Sequence, residues 1–226
     1  MSEQRRRLEK ALRGCAEGWR PQSTDPWPAI RERVYGTATS ATEPEPWATF
    51  NLAFIIDRQG EYDLAVEAYQ QVLDSGHPEA APRAAFNLGI LFEECGEYDL
   101  AVEAYQQAMD SKHAEWAPKA VFNLGMLLEE RGEYDRAEEA YQRAIDSEHS
   151  DAASKARLNL GVLFEKWGEY DRAEEAYQQA IDSGHPEVAP TGMRNLRGLP
   201  MRSSARAPTQ PPGRSANFSG TAPPAP

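Results

Sequence analysis

Three residue pairs have the types and spacing to hold polar or anionic groups from one side: Arg83 with Asn87, Lys119 with Asn123, and Lys155 with Asn159, each a base four residues ahead of an asparagine. Four residues is about one helical turn, so both members of a pair project from one helix face. An asparagine amide offers a donor and an acceptor to a peptide group, and a cation adds a charge-assisted bond to a carboxylate. Asn51 continues the series toward the N-terminus, with Trp47 in the place of the base. Beyond each asparagine stands an apolar residue, Phe54, Ile90, Met126 or Val162, suited to a shallow side-chain pocket. An acidic stripe of Asp57, Glu93, Glu129 and Glu165 runs beside the series and weighs against a purely anionic ligand. A second reading is structural: the asparagines bond a neighbouring segment and the bases balance nearby acids.

His77, His113, His149 and His185 recur at one fixed interval, which raises the idea of a metal ladder. Distance argues against it, because packed helices lie roughly 8–10 Å apart and zinc–nitrogen bonds span only about 2.0–2.1 Å. The histidines are read instead as residues that end one helix and shape the turn after it. The chain has no phosphate-cradling glycine loop, nucleophile elbow or HExxH motif, so no catalytic residue, metal or cofactor is expected and the protein is read as a non-enzyme. Cys15 and Cys95 lie far apart without metal-ligand spacing and are expected to be free thiols.

Charge narrows the partner class. Residues 47–187 carry 29 acids against 11 bases, whereas residues 188–226 carry five arginines and no acid. An acidic body repels phosphate backbones and acidic membrane surfaces. A mean hydropathy of -0.69 fits a thin, elongated fold better than one thick core. Arg5, Arg6 and Arg7 are followed by no apolar run, so neither a secretory signal nor a membrane span is expected, and the chain is placed in the cytoplasm.

These side chains must be positioned by repeated elements. Asn-Leu recurs at 51–52, 87–88, 123–124, 159–160 and 195–196, each 36 residues after the last, and Gly-Glu-Tyr-Asp begins at Gly60, Gly96, Gly132 and Gly168. Within one unit, Pro82 suits the first turn of a helix over 82–95 and Gly96 supplies the left-handed residue that ends it. A second helix is expected over 99–110, capped by Asp99, with capping boxes Asp135-x-x-Glu138 and Asp171-x-x-Glu174 in later copies. Ala101, Tyr105 and Ala108 form one stripe of that helix, with small residues that let a neighbouring helix approach. One such hairpin cannot bury its face alone, so stacked copies must build the core.

Leu88-Gly89, Phe92, Gly96, Tyr98, Ala101, Tyr105 and Ala108 match the spacing of the tetratricopeptide repeat, which the chain resembles over about 48–187. The unit is two residues longer than the family's usual 34, the addition falling in the turn between hairpins; the Sel1-like repeat, the runner-up, places its additional residues within the hairpin. Ala53 replaces the small glycine in copy one. The resemblance implies an all-α, right-handed superhelix of four hairpins at 47–81, 82–117, 118–153 and 154–187, followed by a partial fifth over 188–200. It also implies that the first helix of each hairpin lines a concave groove for extended peptides, with Asn51, Arg83, Asn87, Lys119, Asn123, Lys155 and Asn159 as the contacts. Residues 1–46 read as an N-terminal helical and linker segment, including a short helix at 28–35, and 201–226 as a disordered tail.

The leading expectation is a scaffold that binds a protein or peptide, including one that bears carboxylates, and neither nucleic acid nor membrane. Alternatives are self-association through a fourth repeat left incompletely covered around Tyr177, a basic tail folded back on the acidic body, and a helical-repeat RNA binder, which the charge disfavours.

Overall fold

The computed structural model describes residues 45–200 apart from residue 148, and every regular element among them is an α-helix. In order these are α1 (Pro46–Arg58), α2 (Tyr62–Asp74), α3 (Ala80–Glu94), α4 (Tyr98–Asp110), α5 (Trp116–Glu130), α6 (Tyr134–Asp146), α7 (Ser150–Lys166), α8 (Tyr170–Asp182) and α9 (Val188–Gly198). The expectations for residues 1–44 and 201–226 lie outside the described residues. The chain forms two compact units, divided between Ala120 and Val121 within α5. In the first, α1 pairs with α2 and α3 with α4, and α2 packs on α3. In the second, α6 packs on α7, α7 pairs with α8, and α8 packs on α9.

The turn inside each hairpin has one cause. Gly60, Gly96, Gly132 and Gly168 all take a φ between 72° and 77°, a conformation that costs glycine nothing sterically. At Gly96 this lets the amides of Gly96 and Glu97 reach back to the carbonyls of Glu93 and Phe92 at 2.9 and 2.8 Å, closing the helix end. The second helices start one residue earlier than expected, and their caps differ from the sequence reading. Glu97, Glu133 and Glu169 hold the N-cap position without a side-chain bond to a helix amide, while Asp99, Asp135 and Asp171 lie inside the first turn. There their negative charge complements the positive end of the helix dipole.

The core is built from small residues around a large one. Tyr69, Tyr105, Tyr141 and Tyr177 are all 0% exposed. A β-carbon added at Gly161 would come within 2.4 Å of the Tyr177 ring, and one at Gly89 equally close to Tyr105. The glycine of the first helix is therefore the seat of the tyrosine in the second. Copy one, with buried Ala53, manages without it.

Two expectations are corrected. Tyr177 is not left open, because α9 lies over α8 with Val188 and Gly192 buried. The absent side chain at Gly192 permits this approach: a β-carbon there would meet Ile181 and the Tyr177 carbonyl at 3.2 and 3.3 Å. Nor is Cys95 a free thiol, since it is disulfide-bonded. The other cysteine, Cys15, lies outside the described residues.

Candidate functional site

The asparagine series turns out to be wired to the tyrosines. Asn87 donates from Nδ2 to the Tyr69 hydroxyl at 3.1 Å, and Asn159 donates to the Tyr141 hydroxyl at 3.3 Å. Asn195 bonds Tyr177 in the same way. Each asparagine thus reaches from the first helix of one repeat to the second helix of the repeat before. The tyrosine hydroxyls pass the bond on: Tyr105 donates to Glu93 at 2.8 Å, Tyr141 to Glu129 at 2.9 Å and Tyr177 to Glu165 at 2.7 Å. Burial is the first cause that pushes the Tyr69, Tyr141 and Tyr177 hydroxyls above their ordinary range, so they remain protonated donors. Asn123 is half-buried, and Asn51 is exposed at the first described repeat.

The bases of the series are also engaged. Arg83 lies against Phe50, Trp116 and Trp47, with its guanidinium carbon 4.7, 5.2 and 6.0 Å from the ring centres, which is the range of cation–π attraction. Lys119 bonds Glu115 at 2.7 Å, just ahead of its own helix, and stands 4.5 Å from the Trp116 ring centre. Lys155 bonds Asp151 at 3.1 Å. Burial raises the Asp151 carboxyl, but bonds and charges from Lys155 and His185 outweigh it and hold the group below its usual range.

What faces outward is apolar and acidic. In the first unit Phe54 is 46% exposed. Asp57 on α1 is raised above the usual carboxylate range, first by burial and then by the charge of Glu94 on α3, with Arg58 offsetting only part. In the second unit Met126, Glu130, Asn159, Val162 and Lys166 close around a depression of about 330 Å³ together with Glu129. Five residues placed on this face by sequence are therefore brought together. Lys155 is not among its lining. Lys166 does not stand alone there, as it bonds Glu129 at 2.6 Å.

The histidines shape the turn between hairpins, as expected, but they serve the start of the next helix rather than the end of the last. In each turn between hairpins a serine hydroxyl, such as Ser75, donates to a carbonyl in the last turn of the preceding helix, Val72 at 2.6 Å. That same oxygen accepts the His77 amide at 3.2 Å. The ring Nδ1 of His77 then accepts the amides of Glu79 and Ala80; His113 repeats this with Glu115 and Trp116, His149 accepts the Ala152 amide and His185 the Glu187 amide. Ser111, Ser147 and Ser183 bond like Ser75. The far ring nitrogen holds an acid one repeat back: His113 Nε2 meets Glu79 at 2.9 Å and His185 Nε2 meets Asp151 at 3.0 Å. With Nδ1 accepting and Nε2 beside a carboxylate, the ring is used on both sides by the fold. The sequence contained the signal, a Ser two residues ahead of every His, but an imidazole is uncommon as a helix cap.

Comparison with known proteins agrees with this architecture. A family model described as tetratricopeptide repeat matches residues 57–114 and 122–187. No curated protein matches the chain in sequence. Among solved structures, BtubC (BKLC) from P. vanneervenii matches 88% of this chain and 84% of its own, with 18% identity and a TM-score of 0.57. A crystal structure of MamA matches 70% of this chain and 85% of its own, with 20% identity and a TM-score of 0.55. MamA from Desulfovibrio magneticus RS-1, residue 41 to the end, matches 80% and 92%, with 18% identity and a TM-score of 0.53. At such identities these likenesses speak to the fold alone. Helical hairpins repeating every 36 residues, the glycine–tyrosine seat and a family match over more than half its length establish that this chain belongs to the tetratricopeptide repeat family.

Proposed function

We propose that this chain is a non-catalytic interaction scaffold whose first helices bind an extended protein segment carrying lysine or arginine side chains between apolar ones. The tetratricopeptide repeat fold supports a protein–protein interaction role in general. No described helix is long and apolar enough to cross a membrane. The single observation that carries the finer reading is the state of charge on this face. Arg83, Lys119 and Lys155 are engaged with rings or acids of the chain itself, whereas Asp57 and Glu94 stand close enough to repel. An incoming cation relieves that repulsion, and a carboxylate adds to it. Exposed Phe54 gives the alkyl stem or an apolar neighbour of that cation a surface to cover. Asparagine amides that spend Nδ2 on tyrosine keep their oxygens as acceptors for backbone N–H groups.

The test uses three twelve-residue fluorescent peptides of equal apolar content, one with lysines, one with glutamates and one with glutamines. Fluorescence anisotropy is expected to rank the lysine peptide first, with binding that weakens as salt rises. Asp57→Asn with Glu94→Gln is expected to weaken it about tenfold, the loss of roughly 1.4 kcal/mol of favourable charge interaction, without lowering the melting temperature. Preference for the glutamate peptide, or equal binding by the double variant, would refute the reading.

A further inference from the structure

One buried position of the first helices is filled differently in the fourth repeat. Thr49 on α1, Ala85 on α3 and Val121 on α5 are 2%, 1% and 7% exposed. At the same place α7 carries Arg157, which is half-buried. Three repeats pack with a short side chain here, so the fold does not call for an arginine. A guanidinium brings five donors, yet that of Arg157 has no hydrogen bond or ion pair among the described residues. Arg157 lines a depression of about 380 Å³ whose walls are α6 and α8 and whose floor is α7. Ile145, Leu160, Phe164 and Ala176 make its base apolar. Short turns set α7 antiparallel to both walls, so Arg157 stands level with Gln142 and Gln179, and the acids Glu139, Glu175 and Asp135 follow about one to two turns further along. Glu139 and Glu175 meet no base among the described residues. The second base of the rim, Arg172, is committed: it bonds Glu169 at 2.7 Å and also Glu138, and lies 3.8 Å from the Phe164 ring centre.

We propose that this trough between the second helices α6 and α8 is a separate docking site, which takes a helix of a partner protein presenting an apolar side chain between an acid and a base two turns apart. Charge complementarity selects the occupant. One end offers an unpaired cation among neutral amides and the other offers acids without a base, so the matching ligand carries its acid toward Arg157 and its base toward Glu139 and Glu175. An acid and base four residues apart would bond within the partner's own helix. A spacing of seven leaves both free and spans about 10 Å, the separation of Gln142 from Asp135 along one wall. The apolar residue between them then sits over Leu160 and Phe164. Walls of 13 residues, about 20 Å long, suit a helix laid in a groove rather than a small molecule. The inference does not depend on the peptide-binding proposal, which concerns the first helices.

Three fluorescent, alanine-based helical peptides test this against the full chain by anisotropy. The first has a leucine midway between a glutamate and a lysine seven residues apart, the second has glutamate at both ends of that spacing, and the third lysine at both. The mixed peptide is expected to bind about tenfold tighter than either other, the lysine peptide included, although the acidic chain attracts that one most at long range. Arg157→Ala should weaken the mixed peptide about tenfold without lowering the melting temperature, because Ala85 fills the same place in the second repeat. Arg157→Glu should pass the preference to the lysine peptide. Asp57→Asn with Glu94→Gln, on the first helices, should leave mixed-peptide binding as it is. No binding of the mixed peptide up to about 1 mM would overturn the proposal, as would preference of the unaltered chain for the lysine peptide. Equal binding by Arg157→Ala would overturn it too, and so would a marked fall in that variant's melting temperature, which would assign the arginine to the fold. Equal weakening by the Asp57 and Glu94 substitutions would place the peptide on the first helices instead and sink the second site alone.

Discussion

Replacing Asn159 by alanine separates a ligand-binding asparagine from one that joins repeats. The side chain donates to the Tyr141 hydroxyl at 3.3 Å across the α6–α7 packing. A neutral hydrogen bond contributes about 0.5–1.5 kcal/mol net, and this one is long. Its loss also leaves the tyrosine hydroxyl with Glu129 as acceptor at 2.9 Å, so no buried donor is orphaned. Asn159→Ala is therefore expected to cost about 0.5–1 kcal/mol, the lower half of that range. For a chain of this size that is a fall of roughly 1–4 °C in melting temperature. Asn51→Ala is the control: Asn51 is exposed and stands in the first described repeat, so its loss is expected to change stability by less than about 0.5 kcal/mol.

Urea denaturation followed by circular dichroism supplies the measurement, and a double-mutant cycle with Tyr141→Phe isolates the pair. A coupling of about 0.5–1 kcal/mol is expected between the two substitutions. Tyr141→Phe alone should cost more, since it removes the bonds to both Asn159 and Glu129. Zero coupling with unchanged melting, particularly alongside lost peptide binding, would refute the inter-repeat role. It would return the asparagines to the ligand-contact reading that their spacing first suggests.

Gly161→Ala places a β-carbon 2.4 Å from the Tyr177 ring, so despite a gain of about 1 kcal/mol in helix propensity the overpacking should leave a net loss of about 1–2 kcal/mol in the same urea assay; a stabilised variant would contradict the tyrosine seat. His149→Ala should cost about 0.5–2 kcal/mol through the lost cap on the Ala152 amide, while His149→Asn keeps most of it; equal losses would show that the ring acts by packing. Melting temperature against pH should split two carboxylates by sign. Asp151 is held low in the fold, so its stabilisation is present above the unfolded value of about 3.9 and lost as pH falls through the folded one. Asp151→Asn should therefore destabilise modestly at pH 7 and not below pH 3. Asp57 is held high, so the fold prefers it protonated and stability falls as pH rises from about 3.9 through its folded value. Asp57→Asn should then be neutral or stabilising at pH 7, and a common sign for the two variants would overturn the assignment.

The hairpins were legible because their signals are local. Gly96 marks a left-handed residue wherever it ends a helix, and the Ala101–Tyr105–Ala108 stripe needs only the helical period. The caps misled because propensity names Asp as a preferred cap but cannot say whether the helix begins before or after it; one residue of register moved Asp99 into the first turn. The asparagine network was hidden for a different reason. Asn87 and Tyr69 are eighteen residues apart and belong to different hairpins, so their bond exists only once the repeats stack.

That distinction bears on how a repeat protein divides its surface. A residue repeated in every copy can serve the contact between copies or a ligand that runs past all of them, and a fixed period looks the same in both cases. The bonds separate the two uses here. Asn87 and Asn159 meet the tyrosine of the preceding repeat, His77 and its equivalents cap the following helix, and Gly89 and Gly161 seat a ring, so these periodic residues serve the stack. Positions that vary between copies are freer to serve a partner: Phe54, Ile90, Met126 and Val162 change in size along the series, and Arg58, Glu94, Glu130 and Lys166 change in charge. Stability then belongs to the constant positions as a sum of interface terms, and the proposed recognition falls to the variable ones beside them. Exchanging Phe54 with Val162 should accordingly change which peptide binds more than it changes how firmly the repeats hold together.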